Sequence, residues 1–285
     1  MINNSLIKKS DSINNIKKFW EKNPLYDGEI KSIYNKRYFD TIYNIFKNDV
    51  YAGEINKKLI PKKFNKTKKL LDLGSGPGMY VRFFYEMGIK NIYSADLTIR
   101  SNKLVKKLCK IFNYRNVKIS NQNAEAMSFK NNFFDHVNCV GVIHHSANPD
   151  LCIKEINRVL KKNGTATIGV YYDNFFVRNW SLIRIILKFL NFLRPNINSR
   201  GRAKIYLARD KTELVRLYDG KNNPKGISYT KKEILFKLKE YFIIKDVYYH
   251  FFPKRFFNIK INKIVHKFLD KNFGFLIYIY CKKNK

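Results

Sequence analysis

The chain is short of acidic residues, of cysteine and of long apolar runs, and each shortage excludes something. Its 285 residues hold 22 Asp and Glu against 56 Lys and Arg, a formal charge of +34. Such an excess suits nucleic acid, an anionic membrane or acidic substrates. The same chain is crowded with Lys, Asn, Ile, Tyr and Phe, which an AT-rich genome tends to encode, so roughly half of the charge is discounted as a sign of a partner. Cys109, Cys139, Cys152 and Cys281 have neither the close paired spacing of a zinc site nor the density of a disulfide framework, and a reducing cytoplasm is expected. Met1 to Ser12 has no apolar leader core, so no secretory signal is expected. No run of about 18 uncharged apolar residues occurs, which argues against a membrane-spanning helix. The length suits one sizeable core with an added cap, or two small domains.

What is present centres on Leu70-Leu71-Asp72-Leu73-Gly74-Ser75-Gly76-Pro77-Gly78-Met79-Tyr80. A buried-strand pattern runs into glycines at alternate positions, and an amphipathic segment, Met79 to Met87, follows at once. A strand turning sharply into a helix needs unusual backbone angles, and a ligand lying on the main chain needs the side chains out of its way. The unpaired amides of the new helix start suit a polar or anionic group. The spacing differs from the Gly-x-Gly-x-x-Gly of NAD and FAD sites and lacks the Gly-Lys-Ser/Thr ending of a P-loop.

From 69 to 173 strand and helix alternate, which predicts a parallel sheet with helices on both faces. Strands are expected at Lys69–Leu73, Asn91–Ala95, Asn116–Ser120, Asp135–Val140 and Thr165–Tyr171, with helices at Met79–Met87, Thr98–Phe112 and Asp150–Leu160. Ligands bind such sheets beyond the carboxyl ends of the strands, where the winding reverses. Asp96 closes the second strand, where an acid accepts hydrogen bonds from both ribose hydroxyls or caps the next helix. Residues 1–66 read as a helical cap over the core. One helix is capped by Ser12 and carries Ile13, Ile16, Phe19 and Trp20; a second runs from Glu29 to Phe46 with Ile33, Tyr34, Tyr38, Ile42 and Ile45 on one side.

With Asp72 just ahead of it, the glycine turn resembles motif I of class I methyltransferases that use S-adenosylmethionine (SAM). Asn123-Ala124-Glu125 matches the Asp-Ala-Glu common in these enzymes, with Asn in place of the acid; its amide oxygen still accepts from an N–H donor. Phe134-Asp135-His136-Val137-Asn138-Cys139-Val140-Gly141-Val142-Ile143-His144-His145, with Glu155 to Gly164 downstream, resembles the ubiquinone/menaquinone-type methyltransferases. Lys162 and Asn163 replace the usual Pro-Gly there, and Asn tolerates the left-handed turn. The Phe19 to Pro24 run is similar to the lead-in of many small-molecule methyltransferases.

The resemblance covers about 69 to 172 and implies a Rossmann-like α/β fold with a seven-stranded, mostly parallel sheet. Late strands, Phe242–Phe251 and Phe275–Cys281, complete it, the last antiparallel. It implies SAM as cofactor, contacted by Asp72, Gly74, Ser75, Gly76, Gly78, Asp96, Leu97, Asn123, Ala124 and Val140. His144 and His145, after the fourth strand, are the candidates to accept a proton from the methyl acceptor, or are structural histidines fixing the turn. Tyr171 and Tyr172 are lesser candidates for orienting substrate. No metal is expected, because adjacent histidines without an acidic cluster make a poor site.

The methyltransferase domain is expected over 67–285, with a lid inserted at 174–228. Trp180 to Leu193 is apolar around most of its circumference, and Arg178, Arg184, Lys188, Arg194, Arg200, Arg202, Lys204 and Arg209 occur with no acid between Asn174 and Arg209. This is a lid over a lipophilic substrate resting on an anionic membrane surface, or a helix packed on the core. Tyr218-Asp219-Gly220 and the capping box Thr230 to Glu233 follow.

The leading expectation is methyl transfer to a small, lipophilic or lipid-linked acceptor. An RNA methyltransferase is the alternative from the charge, although no Asn/Asp-Pro-Pro-aromatic motif follows the fourth strand. A non-catalytic membrane-surface or partner-binding module that keeps the fold is the third reading.

Overall fold

The computed structural model describes residues 2–26, 34–62, 64–65, 67–193, 204–252 and 261–284. Helices α1 (Ile2–Lys22) and α2 (Lys36–Val50) precede β1 (Leu70–Leu73), α3 (Met79–Glu86), β2 (Ile92–Asp96), α4 (Ile99–Ile111), β3 (Lys118–Asn121), β4 (Phe134–Val140), α5 (Pro149–Val159) and β5 (Leu160–Tyr171). Four helices, α6 (Phe175–Arg178), α7 (Trp180–Leu193), α8 (Lys211–Asp219) and α9 (Lys231–Lys239), separate β5 from β6 (Phe242–His250), and α10 (Lys263–Phe273) leads to β7 (Leu276–Lys283).

The strands form one seven-stranded sheet in the order β3-β2-β1-β4-β5-β7-β6. β1 to β5 pair in parallel, and β7 runs antiparallel to both β5 and β6. All four residues of β1 are buried, as a central strand covered on both faces requires. The alternation of side chains splits the core in two. Leu70 and Tyr278 join α2, α3 and α4 in one apolar cluster, while Leu71, Leu73, Ile277 and Ile279 join α5 and α9 in the other. The winding reverses at β1, whose neighbours β2 and β4 diverge, so the glycine turn opens at the switch point.

Several local expectations change. Ser12 lies inside α1, not at its start, because the helix begins ten residues earlier at Ile2. α2 starts at Lys36, where Asn35 accepts a hydrogen bond from Tyr38 N; Glu29 and Ile33 lie outside the described residues, as do Arg194, Arg200 and Arg202. β3 begins at Lys118, since Asn116 sits at φ 64° in the preceding turn. Asn163 takes φ 65°, the left-handed angle expected of it, and β5 starts before that turn at Leu160. The Thr230–Glu233 capping box is present. Helices α8 and α10 were not legible in the sequence pattern.

Candidate active site

The three glycines after β1 serve different ends. A Cβ on Gly74 (φ 74°) would lie 2.0 Å from Val142 Cγ2, and one on Gly78 (φ 89°) 2.7 Å from Leu108 Cδ2. Those two positions are glycine so that the turn can pack against β4's exit and against α4. A Cβ on Gly76 (φ 51°) would meet nothing within 4 Å, because that residue borders open space. The space is a cavity walled by Gly74, Gly76, Asp96, Leu97, Asn123, Ala124 and Val140 on this side.

Asp96 joins the turn to β2. One carboxylate oxygen accepts from Gly76 N at 2.9 Å, and the other from Thr98 N at 2.9 Å and Thr98 Oγ1 at 2.7 Å. Burial raises its pKa above the ordinary carboxylate value, against the opposing pull of those donors. The N-cap of α4 is Thr98, whose hydroxyl accepts from Ser101 N, so Asp96 is not itself the cap.

Asp72, Ser75 and Gly78 do not line the cavity. Asp72 lies beneath it, accepting from Asn138 Nδ2 at 2.8 Å while its second oxygen has no partner. Burial pushes its carboxyl up to about 7. Ser75 turns its hydroxyl inward, 2.6 Å from Ser94 Oγ. Asn123 spends its amide oxygen on its own turn, accepting from Glu125 N at 3.0 Å; a carbonyl oxygen has a second lone pair for a ligand.

A second wall brings together segments far apart in the chain. His145, in the short turn after β4, Tyr171, at the end of β5, and Asp219, at the end of α8, all line the same cavity. Tyr171 Oη donates to Asp219 at 2.9 and 2.8 Å from its two oxygens. His145 Nδ1 lies 2.7 Å from Lys225 O, and its Nε2 3.3 Å from Asp219 Oδ2. A carbonyl oxygen only accepts, so Nδ1 carries a proton, and Nε2 is the nitrogen turned to the carboxylate. His145 and Asp219 are both buried.

The neighbouring His144 is different. It is fully buried with neither ring nitrogen hydrogen-bonded, and it packs against the Tyr171 ring with centroids 4.0 Å apart. Burial, with His145 beside it, holds its pKa well below the usual imidazole value, so it is neutral. It is not among the cavity's walls, and neither is Tyr172.

The remaining walls are mostly apolar and include Ile13, Ile16, Trp20, Tyr26, Phe46 and Phe251. The Trp20 ring meets His145 edge-on, with centroids 5.0 Å apart. α1 is tied down beside Asp96: Glu21 accepts from Ile99 N and Arg100 N, both at 2.9 Å. A carboxylate on the first amides of α4 is favoured by the helix dipole. Tyr80 also reaches the cavity; its hydroxyl lies 2.6 Å from Tyr51 Oη and 3.2 Å from Tyr278 Oη. Burial raises the Tyr80 and Tyr51 phenols well above their ordinary value, so these hydroxyls stay protonated. No group of three or more His, Cys, Asp or Glu able to hold a metal occurs among the described residues.

A sheet of this order, opened at its switch point by a glycine turn and closed by an acid on the next strand, is the fold of the class I SAM-dependent methyltransferases. Residues 71–168 match the family described as a methyltransferase domain, and the chain is a SAM-dependent methyltransferase with SAM as its cofactor. An uncharacterized protein of Methanocaldococcus jannaschii is 27% identical over 257 residues, covering 88% of this chain and 91% of that protein. Among solved structures, a SAM-dependent methyltransferase of Thermotoga maritima described as a possible histamine N-methyltransferase superposes with a TM-score of 0.54 at 14% identity, covering 94% of this chain and 100% of the other. A chain from the complex of the Haloferax volcanii Trm112 methyltransferase activator with a methyltransferase gives 0.56 at 11% identity, covering 90% and 100%. These two likenesses are of fold.

The residues present fit that cofactor. Gly76 leaves room for a ligand on the main chain. Asp96 lies on the cavity wall with carboxylate lone pairs beyond those used by Gly76 and Thr98, and Leu97 and Val140 add apolar surface.

Proposed function

We propose that the chain transfers a methyl group from SAM to a small, largely apolar acceptor whose reacting oxygen or nitrogen lies at the His145–Asp219–Tyr171 cluster. The observation that carries this reading is one cavity lined by Gly76 and Asp96 and also by His145, Tyr171 and Asp219. The Phe134–His145 and Glu155–Gly164 stretches, with their resemblance to the ubiquinone/menaquinone type, support a small acceptor.

Bound there, SAM supplies a methyl group on a sulfonium, a leaving group so good that the protein chiefly has to align the reactants and keep water out. Asp96 would accept from the ribose hydroxyls, Gly74 and Gly76 would let the main chain approach, and Ala124 and Val140 would border the base. Asn123 would offer its remaining amide lone pair to the adenine amino group. Asp72 acts from beneath, steadying the turn through β1.

Trp20, Tyr26 and Phe251 give the acceptor an apolar bed. With Nδ1 already donating to Lys225 O, His145 turns Nε2 toward Asp219 Oδ2 at 3.3 Å, so these two atoms can share one proton. The pair is therefore the proton acceptor. Asp219 would take the proton of an acceptor O–H or N–H, and Tyr171 holds the carboxylate in place.

Isothermal titration with S-adenosylhomocysteine tests the cofactor half: measurable binding is expected, lost in Gly76→Arg. Radiolabelled SAM with fractionated small-molecule, lipid and RNA extracts tests the acceptor half. Label in the small-molecule or lipid fraction is expected, and label in RNA alone would overturn it.

A further inference from the structure

Helix α7 carries two apolar faces, of which the described residues cover one. Trp180, Ile183 and Leu187 form the inner face; Trp180 and Leu187 are buried, and the Trp180 indole donates to Ala208 O at 3.0 Å. They belong to the same apolar cluster as Tyr171 and Phe251 of the cavity wall. The outer face is Leu182, Ile185, Ile186, Phe189, Phe192 and Leu193, whose spacing sets them along one side of the helix. These side chains stand in solvent, with Ile185 66%, Phe189 61% and Phe192 81% exposed. Phe175 on α6 and Leu207, in the described segment that resumes at Lys204, are also more than half exposed. So much contiguous apolar surface marks an interaction site.

The charge around the helix selects the partner. Between Asn174 and Arg209 there is no acid, while Arg178, Arg184, Lys188 and Lys204 accompany the apolar face. Arg184 and Lys188 lie one turn apart on a single flank of it. A second copy of this chain would bring another +34 against the first, which opposes self-association through a basic-rimmed patch. Nucleic acid would satisfy the charge and leave the aliphatic and phenyl side chains in water. An anionic bilayer meets both demands, taking the apolar face into its acyl boundary and the cations among its headgroups.

We propose that α7 docks the protein on the surface of an anionic membrane, lying in its plane. With 14 residues the helix is about 21 Å long at about 1.5 Å per residue, short of the roughly 30 Å hydrocarbon core. No helix among the described residues is long and apolar enough to cross a membrane. Docking there brings the apolar cluster that α7 shares with Tyr171 and Phe251 of the cavity wall up to the lipid, the phase in which a lipophilic acceptor resides.

The test is co-sedimentation with vesicles, and it is independent of whether methyl transfer occurs. The full chain is mixed with vesicles of phosphatidylcholine alone or of phosphatidylcholine and phosphatidylglycerol. Binding is expected to the mixed vesicles only, and to weaken at about 1 M salt, where screening reaches to roughly 3 Å. The triple variant Ile185→Ser/Phe189→Ser/Phe192→Ser is expected to lose about tenfold or more of this affinity, with unchanged melting temperature and S-adenosylhomocysteine binding. Phe236→Ser, on α9 and 81% exposed, serves as the control and leaves binding as it was. Equal binding by the triple variant and the wild type would assign the effect to the general positive charge and overturn the proposal. So would binding to RNA with none to either vesicle, or a dimer in solution that the triple variant dissolves.

Discussion

Asp219 Oδ2 lies 3.3 Å from His145 Nε2, although one residue ends α8, between β5 and β6, and the other follows the fourth strand of the sheet. The segment between β5 and β6 thus contributes a carboxylate to a wall otherwise built at the strand ends. Asp219→Asn keeps the shape and removes the proposed proton acceptor. Methyl transfer is expected to fall by about 10²–10⁴-fold, with S-adenosylhomocysteine binding unchanged, as calorimetry beside a radiolabel assay would read. Loss of both together would make Asp219 a structural residue instead.

Asp96 both braces the glycine turn and borders the cavity beside it. Asp96→Ala removes the brace and, on the proposed reading, the ribose contacts as well. Affinity for S-adenosylhomocysteine is expected to drop by about 10–100-fold, in line with the roughly 1.5–3 kcal/mol carried by hydrogen bonds to charged groups. Undiminished binding in a titration would show that the ribose is held elsewhere.

Gly74 and Gly76 separate stability from binding. Gly74→Ala sets a methyl 2.0 Å from Val142 Cγ2 at a left-handed angle, and a loss of about 2–4 kcal/mol is expected, read as a lowered melting temperature. Gly76→Ala meets no neighbour and costs the backbone angle alone, about 1–2 kcal/mol, yet its methyl enters the ligand's space. The smaller melting shift should therefore accompany the larger loss of S-adenosylhomocysteine affinity.

Asp72 gives stability a definite pH dependence. Desolvation raises its carboxyl to about 7 in the folded chain, so the folded state binds this proton more tightly than the unfolded state does. The contribution is complete below about pH 4 and is lost as pH rises to about 7, on the order of 1.4 kcal/mol per unit. His136, lowered by burial to about 3, acts in the opposite sense over an overlapping range. The difference between wild type and Asp72→Asn isolates the carboxyl: denaturant melts should find the variant gaining on the wild type from pH 4 to 7. A flat difference would mean the carboxyl is not buried as described.

The core was largely legible because its signals are local. Alternating strand and helix patterns, the glycine turn and the acid at the second strand's end all lie within short windows, and the sheet follows from how such units must wind. Asn163 was readable in the same way, since its residue type alone suits the turn. The start of α1 was misplaced because Ser12 carries a cap's chemistry at a position where the chain is already helical. A polar residue announces what it can do, not whether the preceding residues leave it the chance.

The wall of His145, Tyr171 and Asp219 was legible only in pieces. His145 and Tyr171 stood out as polar residues at strand ends, and Tyr218-Asp219-Gly220 only as a short run near the end of the expected lid, with no sign that Asp219 meets the other two. His144 and His145 are indistinguishable as neighbours in a sequence; the turn buries one behind Tyr171 and hands the other a carbonyl and a carboxylate. By itself the sequence determined the sheet, its switch point and the glycine turn that opens there, because backbone geometry and hydrophobic period act between residues close in the chain. Only the tertiary structure decided which side chains share a cavity and which nitrogen of His145 faces Asp219. Those relations depend on where separate segments come to rest, and no short-range rule carries that information.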